Sequence, residues 1–238
     1  MQKINISLPS IKPTKALILS FILISLLLSG CSNKRSQNKE KELATPNENG
    51  LPIFDGKSLD GWKITKFGTE GPVQVTDGKI ILGMGDGLTG ITWKDNFPRM
   101  NYEINLEAMK MSGNDFFCGI TFPVDTTFCS FIVGGWGGPV VGLSTIDGSD
   151  ASENSTKKLM RFEKNVWYSI QLKVTPGLIE AWVDNEKMVD FKTQGHEIYI
   201  RPEVQLSTPF GIASWITTSA LRDIRLKEIP QSDTQPDN

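Results

Sequence analysis

The sequence predicts an all-β domain, a sandwich or barrel of antiparallel strands, over residues 51–229. Three observations carry that expectation. Side chains alternate with a period of two along Tyr102-Glu-Ile-Asn-Leu-Glu-Ala108, so one face is apolar and the other polar. Short apolar runs are separated by turn-forming pairs such as Asp77-Gly78 and Asp184-Asn185. After residue 50, no stretch repeats its apolar residues at helical spacing, and many short strands joined by Gly-rich turns close into a sandwich or barrel.

The elements follow in order. Val73–Leu82 reads as two strands about the Asp77-Gly78 turn. Tyr102–Ala108 is a half-buried strand with Tyr102, Ile104, Leu106 and Ala108 inward and Glu103, Asn105 and Glu107 outward. Phe116–Phe122 and Thr127–Val133 pair about a turn near Val124-Asp125. Val140–Ile146, Trp167–Val174 and Leu178–Val183 follow, and Ala220–Glu228 closes the domain with imperfect alternation. Cys118 and Cys129 fall on two of these neighbouring strands. A turn centred between Pro123 and Val124 would set them opposite and permit a disulfide; a turn one residue later would forbid it, so the pairing stays open.

Ahead of the domain, Lys3, Lys12 and Lys15 precede the apolar run Ala16–Leu28, the order of a secretory signal and too short for a comfortable membrane span. The run ends in Leu28-Ser-Gly-Cys31, which resembles the lipobox of bacterial lipoproteins, with residues 1–30 removed and Cys31 acylated. Ser32 stands where an Asp would signal inner-membrane retention in enteric bacteria, so the expected location is the cell envelope, at the outer membrane, periplasm or cell surface. Residues 32–50 read as a polar tether and 230–238 as a polar tail. Removing 1–30 takes three lysines away and moves the net charge from −2 to −5. That balance argues against nucleic acid or an anionic membrane as partner, leaving the lipid as the sole expected membrane contact.

The domain opens with Leu51-Pro-Ile-Phe54-Asp-Gly-Lys-Ser-Leu-Asp-Gly61-Trp62, in which Phe54 and Trp62 read as core anchors and Gly61 as a close-approach position. This opening resembles that of the 3-keto-disaccharide hydrolase domain family. The resemblance continues through Asp77-Gly78, Tyr102–Glu107 and the hairpin Glu180–Asp190, and ends in Ala220–Ile229. It implies a two-sheet antiparallel jelly-roll sandwich of the concanavalin A-like lectin and glucanase type. It also implies a carbohydrate ligand: a ketone at C3 acidifies the C2 hydrogen, a base removes that proton, and the C1 group departs with acid assistance. Such chemistry leaves a divalent metal open and needs no nucleotide cofactor. The chain departs from the family pattern at Gly113-Asn-Asp-Phe-Phe-Cys-Gly-Ile120, at Phe128–Val133, which lacks a carboxylate, and at Leu206–Trp215, where a histidine is often seen.

Candidate residues follow from both readings. Glu107, Asn114 and Asp115 fall where the family builds its pocket and are the candidate catalytic groups. Their plainer alternatives are a solvated strand face for Glu107 and turn bonding for the other two. Trp136, flanked by Gly134-Gly135 and Gly137-Gly138, is a candidate sugar platform, or else a loop residue capping the core. Arg201 and Glu203, about Pro202, are a candidate substrate-binding pair or a surface pair. His196, the single histidine, sits in Gln194-Gly-His-Glu197 and reads as a surface residue, which removes multi-histidine metal sites. Gly83–Gly87 does not match a phosphate loop, and Asn154-Ser-Thr156 matches a glycosylation acceptor without consequence in a bacterium. Three functions remain: an enzyme acting on 3-keto-glycosides, a non-catalytic glycan binder on the same sandwich, and a structural partner in an envelope complex.

Overall fold

In the computed structural model the described residues are 50–230; the signal segment, Cys31, nearly all of the tether and the tail from 231 lie outside them. The strands in chain order are β1 (Leu51–Pro52), β2 (Trp62–Ile64), β3 (Val73–Thr76), β4 (Lys79–Leu82) and β5 (Leu88–Trp93). Next come β6 (Tyr102–Gly113), β7 (Cys118–Val124), β8 (Thr127–Gly135), β9 (Val140–Ser144) and β10 (Lys158–Leu159). The remainder are β11 (Trp167–Thr175), β12 (Leu178–Val183), β13 (Glu186–Lys192), β14 (Gly211–Trp215) and β15 (Thr217–Glu228). One short 3-10 helix covers Pro202–Ser207.

Two antiparallel sheets result. The first runs β13-β12-β11-β6-β15-β4-β3, with β1 added against β15; the second runs β10-β9-β8-β7-β14-β5-β2. This is the jelly-roll sandwich expected. The alternation on β6 decides which side chains meet between the layers: Tyr102, Ile104, Leu106 and Ala108 are buried there with Ile170, Leu172, Val174 and Ile179 of the same sheet. Facing them are Ile120, Phe122, Phe131, Val133, Val141, Leu143 and Ile212 of the second sheet. The Tyr102 hydroxyl, fully buried, is satisfied by donating to the Pro123 carbonyl at 2.6 Å. Phe54 and Trp62 are core residues, and the Trp62 indole N–H donates to the Ile53 carbonyl at 2.7 Å. Gly61 has φ +78 and a side chain there would stand 2.6 Å from the Trp93 ring, which accounts for the glycine.

The β7–β8 hairpin corrects one expectation. Val124 pairs with Thr127, so the turn is Asp125-Thr126, two residues beyond the point that would align the cysteines. Cys118 faces Val133 and Cys129 faces Phe122, and both are free, buried thiols. β7 also begins at Cys118 rather than Phe116, because Phe116 turns aside to lie over Gly119. The imperfect alternation at the C-terminus has a local cause: β15 shifts register against β6 between Arg222 and Arg225, with Asp223 at φ +50. Among the described residues, no helix is long and apolar enough to cross a membrane.

Candidate functional site

The outward positions of the second sheet are unusually small along one row. Gly142 on β9 pairs with Ile132 on β8, Ile132 with Gly119 on β7, Gly119 with Ala213 on β14, and Ala213 with Gly90 on β5. Four of these five positions are therefore Gly or Ala, which lets other groups pack directly on the sheet, the Phe116 ring over Gly119 and Thr156 over Gly142. A side chain at Gly90 would meet the Ala213 methyl at 2.8 Å and the Ile212 carbonyl at 2.7 Å. On the same face, with Ile132 of this row in its lining, lies a cleft of about 280 Å³ bounded by Leu88, Asp115, Phe116, Ser130, Ile132, Trp136, Ser144, Arg201, Glu203, Val204 and Trp215. That is the lower end of the range for small-molecule pockets, about 300–1,000 Å³.

One wall is a strap, residues 193–209, laid across the sheet. Thr145 N–H donates to the Tyr199 carbonyl at 2.8 Å, Asp147 N–H to the Glu197 carbonyl at 2.9 Å, and Thr127 Oγ1 to the Ile198 carbonyl at 2.9 Å. At its other end Thr92 Oγ1 donates to the Leu206 carbonyl at 3.0 Å. Between these fastenings Pro202 starts the 3-10 helix that presents Arg201, Glu203 and Val204 to the cleft. Arg201 Nη2 donates to Glu203 Oε1 at 2.9 Å, and Arg201 Nη1 to Asp150 Oδ2 at 2.6 Å. Ser144 Oγ donates to the other Asp150 oxygen at 3.0 Å, so a polar chain runs from the floor to the rim. The Arg201 guanidinium holds the Glu203 carboxyl below its usual value, and Glu203 in turn raises Arg201.

The opposite end of the cleft is aromatic. Trp136 adopts φ +49 on the loop after β8 and remains 41 % exposed. The loop's fold requires glycine at Gly134, where φ is +83 and a side chain would stand 3.0 Å from the Phe117 ring. Asp115 fixes this loop: its Oδ2 accepts the Gly137 N–H at 3.3 Å and its Oδ1 accepts the Phe116 N–H at 2.8 Å. Both carboxylate oxygens are thus engaged by backbone. Phe116 and Trp215 complete the aromatic wall.

The structure brings four of the six candidates together: Asp115, Trp136, Arg201 and Glu203. Asn114 is an exposed turn residue outside the lining. Glu107 is on the outer face of the first sheet, because its neighbours Leu106 and Ala108 fill the space between the layers. There it accepts from Arg222 Nε at 2.6 Å, and the Arg222 guanidinium lies 4.0 Å over the Trp167 ring. His196 is exposed and outside the cleft; its Nδ1 is 2.6 Å from Asp147 Oδ2, a bond that lowers the Asp147 carboxyl. Sequence reading missed Phe116, Ser130, Ser144, Asp150 and Trp215 as site residues. Ser130, inside an otherwise apolar run, was the one visible signal. The donor set does not fit a divalent metal: among the described residues no three His, Cys, Asp or Glu side chains are grouped to hold one.

An all-β sandwich with a cleft of aromatic and hydrogen-bonding side chains on one outer face defines the class. Residues 51–227 match the model of the 3-keto-alpha-glucoside-1,2-lyase-like domain, and the chain belongs to that family. Comparison with curated proteins gave no match. Among solved structures, the chain is similar to the carbohydrate recognition domain of Emp46p in its metal-free form. Identity is 14%, TM-score 0.50, with 78% of this chain and 99% of that one covered. It also resembles the carbohydrate binding module CBM66 from Bacillus subtilis, at 12% identity and TM-score 0.49, covering 71% of this chain and 96% of that one. A laminarinase from Flavobacterium sp. UMI-01 gives 14% identity and TM-score 0.49, over 74% of this chain and 97% of that one.

Proposed function

We propose that this is a glycoside-active domain of the cell envelope, anchored through Cys31, that binds sugar in the cleft and cleaves 3-keto-glycosides. The observation that carries the reading is the Arg201–Glu203 pair at the rim of an aromatic-lined cleft in a member of this family. Glu203 is the cleft carboxylate whose oxygens face the Arg201 side chain, and it is the candidate base for the C2 proton. Arg201 spends three of its N–H groups on Asp150 and Glu203, leaving two of the five to meet negative charge on the ketone oxygen. The C2 proton passes to Glu203 and the electron pair into the enolate; as the ketone re-forms, that pair becomes the C1–C2 double bond and the C1 oxygen leaves with the C1–O pair, taking a proton from Glu203 or water. Trp136 offers its exposed ring as a stacking face.

Incubating the full chain with a 3-keto-glucoside tests this. Expected are steady consumption of substrate and, for Glu203→Gln, a loss of about 10²–10⁴-fold in turnover with binding kept. A second reading, a non-catalytic glycan binder, is favoured by the engagement of both Asp115 oxygens, which removes a second free carboxylate. It predicts binding without consumption, and no consumption at any pH would remove the enzymatic reading. The anchor has its own test: incorporation of labelled palmitate that disappears in Cys31→Ser.

A further inference from the structure

The cleft is longer than the polar equipment inside it. Its lining spans five neighbouring strands, from Ser144 on β9 to Leu88 on β5. Four inter-strand spacings amount to roughly 19 Å. The side chains sort at right angles to this span, along the strand direction. Ser144 and Ser130 are cross-strand partners, and with Arg201, Glu203 and the supporting Asp150 they make one end. Four residues further along β8, about 13 Å away at strand rise, the chain reaches Gly134 and the Trp136 loop. At that end Trp215 pairs with Leu88, and Phe116 lies over Gly119. Asp115, the acidic residue there, has both oxygens bonded to backbone amides. One end therefore offers hydroxyls and charge; the other offers three aromatic rings and a leucine with no free polar partner. Ile132, between Ser130 and Gly134 on β8, lies between the two ends.

A single sugar ring does not fill such a cleft. Sugars place hydroxyls around their whole rim, and a ring seated at the aromatic end would lose water from those hydroxyls without replacement bonds. Charge narrows the ligand further. The Arg201 guanidinium is already bridged by Asp150 and Glu203, and the aromatic end carries a further carboxylate, Asp115, and no cation. A full negative charge on the ligand, a carboxylate or phosphate, would meet a guanidinium already outnumbered by its two carboxylate partners and would be disfavoured.

We infer that the cleft takes a neutral glycoside carrying an apolar, aromatic-sized aglycone, the sugar against Ser130, Ser144, Arg201 and Glu203 and the aglycone against Trp215, Phe116 and Trp136. This rests on the sugar-binding reading above and adds the class of aglycone. Trp215 is the specificity-determining residue, since it projects from the centre of the apolar end and its backbone N–H is held by the Phe116 carbonyl at 3.0 Å.

The test is calorimetric titration of the full chain carrying Glu203→Gln, which suppresses turnover, with three 3-keto-glucosides: the methyl glycoside, the 4-nitrophenyl glycoside, and the 4-nitrophenyl glycoside oxidised to a carboxylate at C6. The expected result is that the nitrophenyl sugar binds at least tenfold tighter than the methyl sugar, and that the C6 carboxylate weakens it at least tenfold. In Trp215→Ala the ratio of nitrophenyl to methyl affinity should shrink to within twofold, with an unchanged circular-dichroism spectrum reporting that the variant is folded. Leu88→Ala, on the same wall, should reduce the advantage in the same direction. Equal affinity for methyl and nitrophenyl sugars overturns this inference and leaves the sugar reading standing. An advantage that survives both substitutions, or a C6 carboxylate that binds as well as its neutral parent, overturns it too. No binding of any of the three removes the sugar reading and this inference together.

Discussion

Glu107 and Asp115 are close in sequence, yet one lies on the outer face of the first sheet and the other at the cleft on the second. Alternation along Tyr102–Ala108 shows which side chains share a face, and that part of the reading matches the structure. It carries no information about which of the two sheets a strand joins, and that is what separates Glu107 from the cleft. Trp136 was legible because a large aromatic among four glycines has no role in stiffening a chain. Asp150 was not, since an Asp in a Gly- and Ser-rich turn looks the same whether or not it supports an arginine. The cysteines allow a direct check at this scale. Both core thiols are fully buried, and burial pushes Cys129 up to about 12 and Cys118 higher still. In a Cys31→Ser chain, Ellman's reagent should find no fast-reacting thiol in the native state and two after denaturation. A single fast thiol in native protein would contradict the packing of β7 against β8.

At the scale of elements, the strands legible in the sequence have clean alternation, an Asp-Gly or Asp-Asn turn, or, as in β7, β8 and β9, an apolar run bounded by turn residues. β5 and β14 were not read, because both are buried almost throughout and so show no contrast between faces. They supply Leu88 and Trp215, so the apolar end of the cleft was hidden with them. The close contact between these two strands is testable. Gly90→Ala forces a methyl group against Ala213 and the Ile212 carbonyl and should cost about 1–3 kcal/mol, read as a lower urea midpoint with unchanged slope. The strap gives an acid limb. Glu203 is held below its usual value by Arg201, so the pair's contribution is complete above the ordinary glutamate range and is lost as pH falls through the lowered value. Turnover of a 3-keto-glucoside should therefore hold down through the ordinary glutamate range and decline only below it, as the base is protonated. A decline already complete at pH 5 would show that another group carries the pH dependence.

For the whole molecule, most of the structure is stitched from distant segments. β6 pairs with β15 across more than a hundred residues of chain, as in Glu107 with Arg222, and β1 joins β15 as well. Loops that long must close before the central sheet can form, so refolding followed by tryptophan fluorescence should take milliseconds to seconds or longer. Recovery within microseconds would mean that the two sheets form without this pairing. The same stitching places Leu51 directly beside Leu226, on the sheet remote from the cleft. The domain is in effect a closed ring with a nick. A circular permutant that joins those neighbours and opens at Gly177, a turn with free space around it, would keep every cleft residue in place. The cleft could then be carried as an inserted module within another protein, held at both ends from behind and with its open side outward.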